Sequence, residues 1–402
     1  MNDNASLIRA DAIAIPLRDW SVDLIVTSPP YFALRSYQDG GEHYDGQIGS
    51  EASPAAFLAA LWAVTDECWR VLKPSGSLWV NLGDKYAGAG AGVRPKSKML
   101  LPHRYALGCV DPEYRGHVEG VGRQTGPQWI CRSDVVWSKP NGLPESVTDR
   151  VRSSHEYLFH LTKSERYYAG IDAIREAYEA PNATRSGGKR LAAGTHGRES
   201  SSTLALPSSE SMNPLGKVPG SVWTIPTESL IVPDWLGVDH YAAFPTELPR
   251  RIILGWTPTG ICTACGDARA AVTEHLGYVQ GGGRNYGTDP QTSRHGTGKA
   301  TLGMTGTRTI TGYRCACPDT HAPTRPAIVL DPFSGTGTTP MIARALGRYG
   351  IGIDLSNDYL RLARWRVFHS GHWDKACERT TGRPSQTPEH HPDQYDLFGG
   401  TL

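Results

Sequence analysis

Asp331-Pro332-Phe333-Ser334-Gly335-Thr336-Gly337-Thr338-Thr339 joins an apolar run, Ala327–Leu330, to a stretch of helical character, Pro340–Leu346, and the next apolar run, Tyr349–Ile353, ends in Asp354. Strand, glycine turn, helix, strand is the unit from which parallel α/β sheets are built. Glycines in the first turn let the backbone approach a ligand, and a carboxylate at the tip of the next strand, about 20 residues on, suits a ribose diol. A dinucleotide site would ask for Gly-x-Gly-x-x-Gly, to bring the helix N-terminus onto a pyrophosphate. Here Pro340 holds the third glycine position and an acid opens the turn. That carboxylate repels phosphate but suits a cationic sulfonium and an amino-acid ammonium. The plain alternative is a tight βα turn with no ligand.

Outward from this turn, the same grammar recurs near the N-terminus. Ala5–Ile8 and Val22–Val26 are short apolar runs that predict buried strands, and Thr27-Ser28-Pro29-Pro30-Tyr31 sits where the second one ends. Pro54–Leu72 has apolar residues at helical spacing, Lys73–Gly76 a turn composition, and Ser77–Leu82 the pattern of another strand. Further strands are expected at Arg132–Trp137 and Tyr157–Leu161, and helices at Phe244–Leu254 and Asp358–Val367. The expected fold is therefore α/β, a doubly wound, mostly parallel sheet carrying two insertions.

The 402 residues, 39% hydrophobic and 20% charged, fit a globular chain with ample core. No apolar run approaches the roughly 20 residues of a membrane span. The start Met1-Asn2-Asp3-Asn4 is polar and acidic, unlike a secretory signal, so a cytoplasmic location is expected. With a net charge of +1, any surface for a polyanion must be local.

Ser28-Pro29-Pro30-Tyr31 at a strand end carries a specific chemistry. An exocyclic amine is a poor nucleophile because its lone pair is delocalised into the ring. Acceptors for its NH₂ protons, here the Ser28 hydroxyl and the Pro29 carbonyl, draw the nitrogen toward tetrahedral geometry. The paired prolines stiffen the loop, and Tyr31 offers a flat face on which an extruded base can stack. Alone, the string is equally readable as a proline turn; beside the Asp331–Thr339 turn it is not.

Together these residues resemble the site-specific DNA methyltransferases that act on adenine N6 or cytosine N4, in the permuted class where the Ser-Pro-Pro-Tyr motif precedes the cofactor motif. The resemblance implies the S-adenosylmethionine-dependent methyltransferase fold, circularly permuted. It implies double-stranded DNA as substrate, direct transfer by base flipping, and a cognate restriction nuclease as partner. Residues 1–179 become the catalytic half, 180–235 a target-recognition insertion, 236–256 a cofactor-closing segment, 257–325 a cysteine-rich insertion, 326–379 the cofactor-binding half and 380–402 a polar tail. Asp11, Thr27, His240, Phe244, Pro245, Asp331, Phe333, Ser334, Gly335, Thr336, Gly337, Thr338, Thr339 and Asp354 are the implied cofactor residues. Trp79–Asp84 resembles the next sheet strand. Trp137–Asn141 and His155–Tyr157 resemble the region around the target base, with Lys139, Asn141 and Arg150 expected on DNA. Ser28, where adenine enzymes more often carry Asp or Asn, favours cytosine N4, with adenine N6 as the alternative. Cytosine C5 chemistry is excluded, since it needs a cysteine nucleophile, typically in a Pro-Cys dipeptide, and the chain has none. The rival from another class is a non-catalytic DNA-binding protein that keeps the fold.

Cys262-Thr263-Ala264-Cys265-Gly266 and Cys315-Ala316-Cys317 resemble the halves of a zinc ribbon. Four thiolates satisfy tetrahedral Zn²⁺, and in a reducing compartment close pairs point to metal rather than disulfide. The second pair is one residue short of the usual knuckle, so unligated or redox-active cysteines remain the alternative. A closed four-sulfur site would be structural.

Overall fold

The computed structural model describes residues 4–33, 38–39, 42–43, 46–88, 93–118, 126–177, 213, 215–230, 232–238, 245–280, 304–315, 317, 322–369 and 378. The chain divides into two compact units, one of Met1–Gly170, Gly220–Arg269 and Cys317–Leu402, the other of Ile171–Pro219 and Ala270–Ala316.

The first unit is built on an eight-stranded sheet. Its strands are β1 (Ala5–Arg9), β2 (Val22–Thr27), β3 (Leu72–Leu82), β4 (Ile130–Ser138), β5 (His155–Thr162), β6 (Val222–Thr224), β9 (Ile328–Asp331) and β10 (Tyr349–Asp354). β7 (Ala270–Gln280) and β8 (Met304–Arg314) belong to the second unit. The sheet order is β1-β10-β9-β2-β3-β5-β4-β6. β5 pairs antiparallel with both neighbours, and every other pairing is parallel, so a single strand runs against the rest. The mostly parallel α/β sheet read from the sequence is the observed one. Sheet order departs from chain order: β9 and β10, last in the sequence, lie between β1 and β2, the first two strands.

Every residue of β2 is buried, as a central strand covered on both faces requires. α1 (Pro54–Val71) starts where Ser53 Oγ accepts from the Ala56 amide at 3.1 Å with Pro54 in the first turn. Its buried stripe includes Phe57, Leu58, Leu61, Trp62, Val64 and Cys68. The predicted turn at Lys73–Gly76 is looped out within β3. Val22 pairs with Leu72 and Leu24 with Ser77, so the loop lies opposite Asp23, whose carboxylate pairs with Lys73. Alternation along β3 identifies the two layers. Leu78, Val80 and Leu82 join the core with α1 and α2 (Leu101–Val110), while Trp79 faces the other way onto His160, Trp223 and Trp256.

α2 and the short α3 (Pro112–His117) were not expected, although Pro102 and the Asp111-Pro112 pair are ordinary start signals. α4 (Glu247–Trp256) begins later than the predicted Phe244, with the Pro245 carbonyl accepting from the Leu248 amide at 3.2 Å. α5 (Thr338–Ala345) and α6 (Asn357–Phe368) cover the cofactor-motif end, and α5 packs on both α4 and α6.

In the second unit, β7 and β8 form a long antiparallel hairpin from Ala270↔Arg314 to Gln280↔Met304, with register shifts at Val272/Thr273 and His275/Gly277. A β-ribbon is more structure than the Gly-rich composition predicted; the bulges absorb its irregular register.

Candidate active site

The carboxyl ends of β2, β9 and β10 converge on an open cleft of about 740 Å³. Ligands bind at this end of open parallel sheets, where crossover direction reverses and leaves a crevice. Asp11, Ser28, Pro30, Phe333, Gly335 and Asp354 line it, together with Gln47, Ile48 and Tyr359, for which the sequence offered no local signal. Asp354 is held by two backbone donors: Gly335 N to Oδ2 at 2.8 Å and Ser356 N to Oδ1 at 2.9 Å. The Ile13 amide donates to Asp11 Oδ1 at 3.0 Å.

The remaining turn residues support the cleft from beneath. Asp331 is fully buried, and its Oδ1 accepts from Thr27 Oγ1 at 2.7 Å and from the Phe333 amide at 3.1 Å. Among the described residues its Oδ2 has no hydrogen-bond partner. Burial pushes the Asp331 carboxyl up to about 6, the bond from Thr27 offsetting only part of that. Gly337 adopts φ +74° at the head of α5, and a Cβ there would approach Ala363 Cβ to 2.9 Å, so glycine meets both a backbone and a packing demand. The Thr336 and Thr338 hydroxyls are both bonded to Arg366 Nη1, at 2.5 and 2.9 Å, and Thr339 Oγ1 donates to the Val26 carbonyl at 3.4 Å. Burial lowers the Arg366 pKa to about 10. Ser334 is buried behind Phe333, its amide bonded to the Ile353 carbonyl at 2.9 Å. The threonines and Ser334 thus hold the turn's shape while Phe333 and Gly335 face the cleft.

Ser28 and Tyr31 lie at the end of β2 in a polar cluster. Pro30 faces the cleft, and Pro29 faces a small apolar void beside Phe333, Val80 and Tyr105. Tyr31 Oη donates to Glu156 Oε2 at 2.6 Å and accepts from Asn81 Nδ2 at 2.8 Å. Asn81 Nδ2 also reaches Glu156 Oε2 at 2.7 Å and Ser28 Oγ at 3.3 Å. The Tyr31 ring lies against Gly83, where a Cβ would come within 2.7 Å of Cε2. The resemblance places Glu156 in the region around the target base and Asn81 in a sheet strand, without giving either a role in this cluster; the signal for Asn81 was a polar side chain within an otherwise apolar strand.

Each of the three residues expected on DNA has partners within the chain. Lys139 pairs with Glu156 and sits 4.2 Å from the centre of the Trp137 ring. Asn141 brackets Thr227, donating to its carbonyl at 3.1 Å and accepting from its amide at 2.8 Å. Arg150 bonds Glu145 at 2.7 Å and stacks 3.9 Å over Tyr86. Among the expected cofactor residues, Pro245 is buried just before α4, and His240 and Phe244 lie outside the described residues, as does the polar tail 380–402.

Within the first unit, the sulfur atoms of Cys262, Cys265 and Cys317 lie within 4.8 Å of one another. Around the first pair the chain forms a tight knuckle. Cys262 N donates to the Asp267 carbonyl and Gly266 N to the Cys262 carbonyl, both at 2.9 Å, with Gly266 at φ +77°. No helix among the described residues is long and apolar enough to cross a membrane.

Comparison with known proteins gives this architecture a family. The family model N6_N4_Mtase, described as DNA methylase, matches residues 22–263 and 323–364. The type II methyltransferase M.Cfr9I of Citrobacter freundii is 36% identical over 269 residues, 64% of this chain and 74% of its own. M.XycI of Xanthomonas campestris pv. cyanopsidis, also a type II methyltransferase, is 28% identical over 388 residues, 90% of this chain and 87% of its own. Among solved structures, the PvuII DNA methyltransferase (cytosine-N4-specific) superposes with a TM-score of 0.51 at 15% identity, covering 94% of this chain and 93% of that one, a likeness of fold. With the family pattern spanning both the Ser28–Tyr31 strand end and the Asp331–Thr339 turn, the chain belongs to the N6/N4 DNA methylases, the amino-methyltransferases of DNA.

Proposed function

We propose that the chain transfers a methyl group from S-adenosylmethionine to the exocyclic N4 of cytosine within a specific duplex sequence, by base flipping and direct transfer. The observation that carries this reading is the placement of Ser28 on the cleft that Asp11, Phe333, Gly335 and Asp354 also line. Those residues suit S-adenosylmethionine. Asp354 offers acceptors for a ribose diol, and the buried Asp331, whose Oδ2 has no hydrogen-bond partner among the described residues, is compatible with cationic but not phosphate groups. When bound, that cofactor supplies the methyl group. The chain's own part is to hold the amine: Ser28 Oγ and the Pro29 carbonyl accept its protons, and Tyr31 stacks on the extruded base. Ser28 favours cytosine over adenine N6, the alternative within the same family. Incubating the protein with unmethylated duplex DNA and labelled cofactor, then identifying the modified nucleoside by mass spectrometry, tests the reading. N4-methylcytosine is expected; N6-methyladenine would replace the base assignment, and no methylated nucleoside would overturn the enzyme.

Recognition of the target sequence is assigned to the segments 180–235 and 257–325, parts of which lie outside the described residues. In support of the second segment, the family pattern skips residues 264–322. A restriction nuclease of the same specificity is the proposed partner in the cell. A structural Zn²⁺ on Cys262, Cys265, Cys315 and Cys317 is supported by the clustering of Cys262, Cys265 and Cys317 within 4.8 Å and by the Gly266 knuckle. Metal analysis of protein purified without chelator tests it, one zinc per chain being the expected result.

A further inference from the structure

Glu156 carries a carboxylate into the Ser28–Tyr31 cluster, and nothing in the chemistry above uses it. Its side chain is only 13% exposed, and Oε1 is ion-paired with Lys139. Oε2 accepts from Tyr31 Oη at 2.6 Å and from Asn81 Nδ2 at 2.7 Å. A carboxylate only accepts, so the hydrogens of the cluster have a set direction. Tyr31 donates to Glu156, and Asn81 must turn its NH₂ inward. The Tyr31 oxygen is then left as an acceptor facing Ser28 Oγ, 3.4 Å away. With its hydroxyl hydrogen directed at Tyr31, Ser28 keeps lone pairs for an amine proton.

Methylating an exocyclic amine leaves a nitrogen with four bonds, from which a proton must depart. Neither an alcohol nor an amide carbonyl retains that proton near neutral pH. We propose that Glu156 is the proton's final acceptor, reached through the hydroxyls of Ser28 and Tyr31, and that it positions the Tyr31 ring for the same step. This inference rests on the amine-methylating function proposed above. The amine nitrogen takes the methyl group while the S–CH₃ bond pair stays on sulfur. Its N–H proton passes to Ser28 Oγ, the Ser28 hydroxyl proton to Tyr31 Oη, and the Tyr31 proton to Glu156 Oε2. The positive charge that began on sulfur ends by neutralising a carboxylate, so atoms and charge balance. A four-bonded nitrogen conjugated to a base is acidic enough to protonate even a lysine-paired carboxylate. Lys139 holds Glu156 in place beforehand through their ion pair. The 3.4 Å link is longer than a good hydrogen bond, and links of this kind tighten when substrate closes a site.

Glu156→Gln keeps the size of the side chain and an acceptor for Tyr31 but removes its basicity. The first measurement is wild-type protein on duplex DNA: absence of any methylated base would overturn the underlying function, separately from the relay. Given wild-type activity, Glu156→Gln and Tyr31→Phe are each expected to lower single-turnover methylation by roughly 10²-fold with S-adenosylmethionine affinity unchanged. The double variant should be no slower than either single one, and Glu156→Asp should recover part of the rate. The acid limb of the rate against pH should vanish in Glu156→Gln. Titratable groups around Glu156 are Lys139 just after β4, Tyr31 from the loop after β2, and His155 and Tyr157 beside it on β5, so His155→Gln should leave that limb in place. A wild-type rate in Glu156→Gln, or losses that multiply in the double variant, would overturn the relay.

Discussion

Thr27 Oγ1 donates to Asp331 Oδ1 at 2.7 Å across 304 residues of sequence, with both side chains buried. β2 and β9 are adjacent parallel strands, and this bond locks their carboxyl ends together. The strand end that carries Ser28 and Tyr31 is thereby fixed against the turn that lines the cleft. A shift of one strand relative to the other would separate the candidate amine acceptors from the candidate cofactor residues.

The burial of Asp331 has a pH signature. Buried Asp331 titrates near about 6 in the folded chain, whereas an exposed aspartate lies at 3.8. The folded state holds this proton more tightly, so its contribution to stability is complete below about pH 4 and lost as pH rises through about 6, a cost on the order of 3 kcal/mol. Asp331→Asn should flatten this slope. Urea midpoints at pH 5 and pH 8 without cofactor test it, and an unchanged difference between them would refute the assignment.

Ser28→Ala should retain S-adenosylmethionine binding, since the cofactor residues are elsewhere on the cleft, yet lose methyl transfer by roughly 10²-fold. Asp354→Ala should show the reverse emphasis, weakening the cofactor by calorimetry. Equal activity in the Ser28 variant would remove that residue from the chemistry.

Gly83→Ala places a methyl group within 2.7 Å of the Tyr31 ring, so the ring must move. Methylation should fall at least about tenfold, with the fold intact by circular dichroism. A crystal structure with Tyr31 unmoved would disprove the steric account.

Arg366→Met preserves much of the packing volume but removes the donor shared by the Thr336 carbonyl, at 2.9 Å, and the Thr336 and Thr338 hydroxyls. Leaving those buried groups unpaired should cost about 2–4 kcal/mol in denaturant unfolding. Cofactor affinity should fall as well, because the turn loses its support. Unchanged stability would mean that water replaces the guanidinium.

Cys265→Ser should lower the zinc content from one per chain and lower the melting temperature. The same variant should methylate DNA normally at low temperature, since a closed thiolate site has no open position for chemistry. Full zinc occupancy in the variant would exclude Cys265 as a ligand.

What the sequence alone determined was whatever depends on neighbours in the chain. Pro54–Val71 announced its helix through Ser53, Pro54 and a 3.6-residue apolar period, and Val22–Thr27 its strand through a short apolar run interrupted by Asp23. The Asp331–Thr339 turn and Asp354 revealed a cleft because glycine, carboxylate and strand end are a local pattern. Leu101–His117 carries start signals at Pro102 and Asp111-Pro112 but only a weak apolar period, and the β7–β8 hairpin a Gly-rich composition, so in both packing rather than propensity decides the element. Tertiary structure alone decided which polar groups meet: Thr27 with Asp331, Arg366 with Thr336, and Glu156 with Tyr31, Asn81 and Lys139. Burying those groups obliges each to find a partner, and the partner is supplied by whichever strand or helix the fold lays alongside, at a sequence distance no local pattern records.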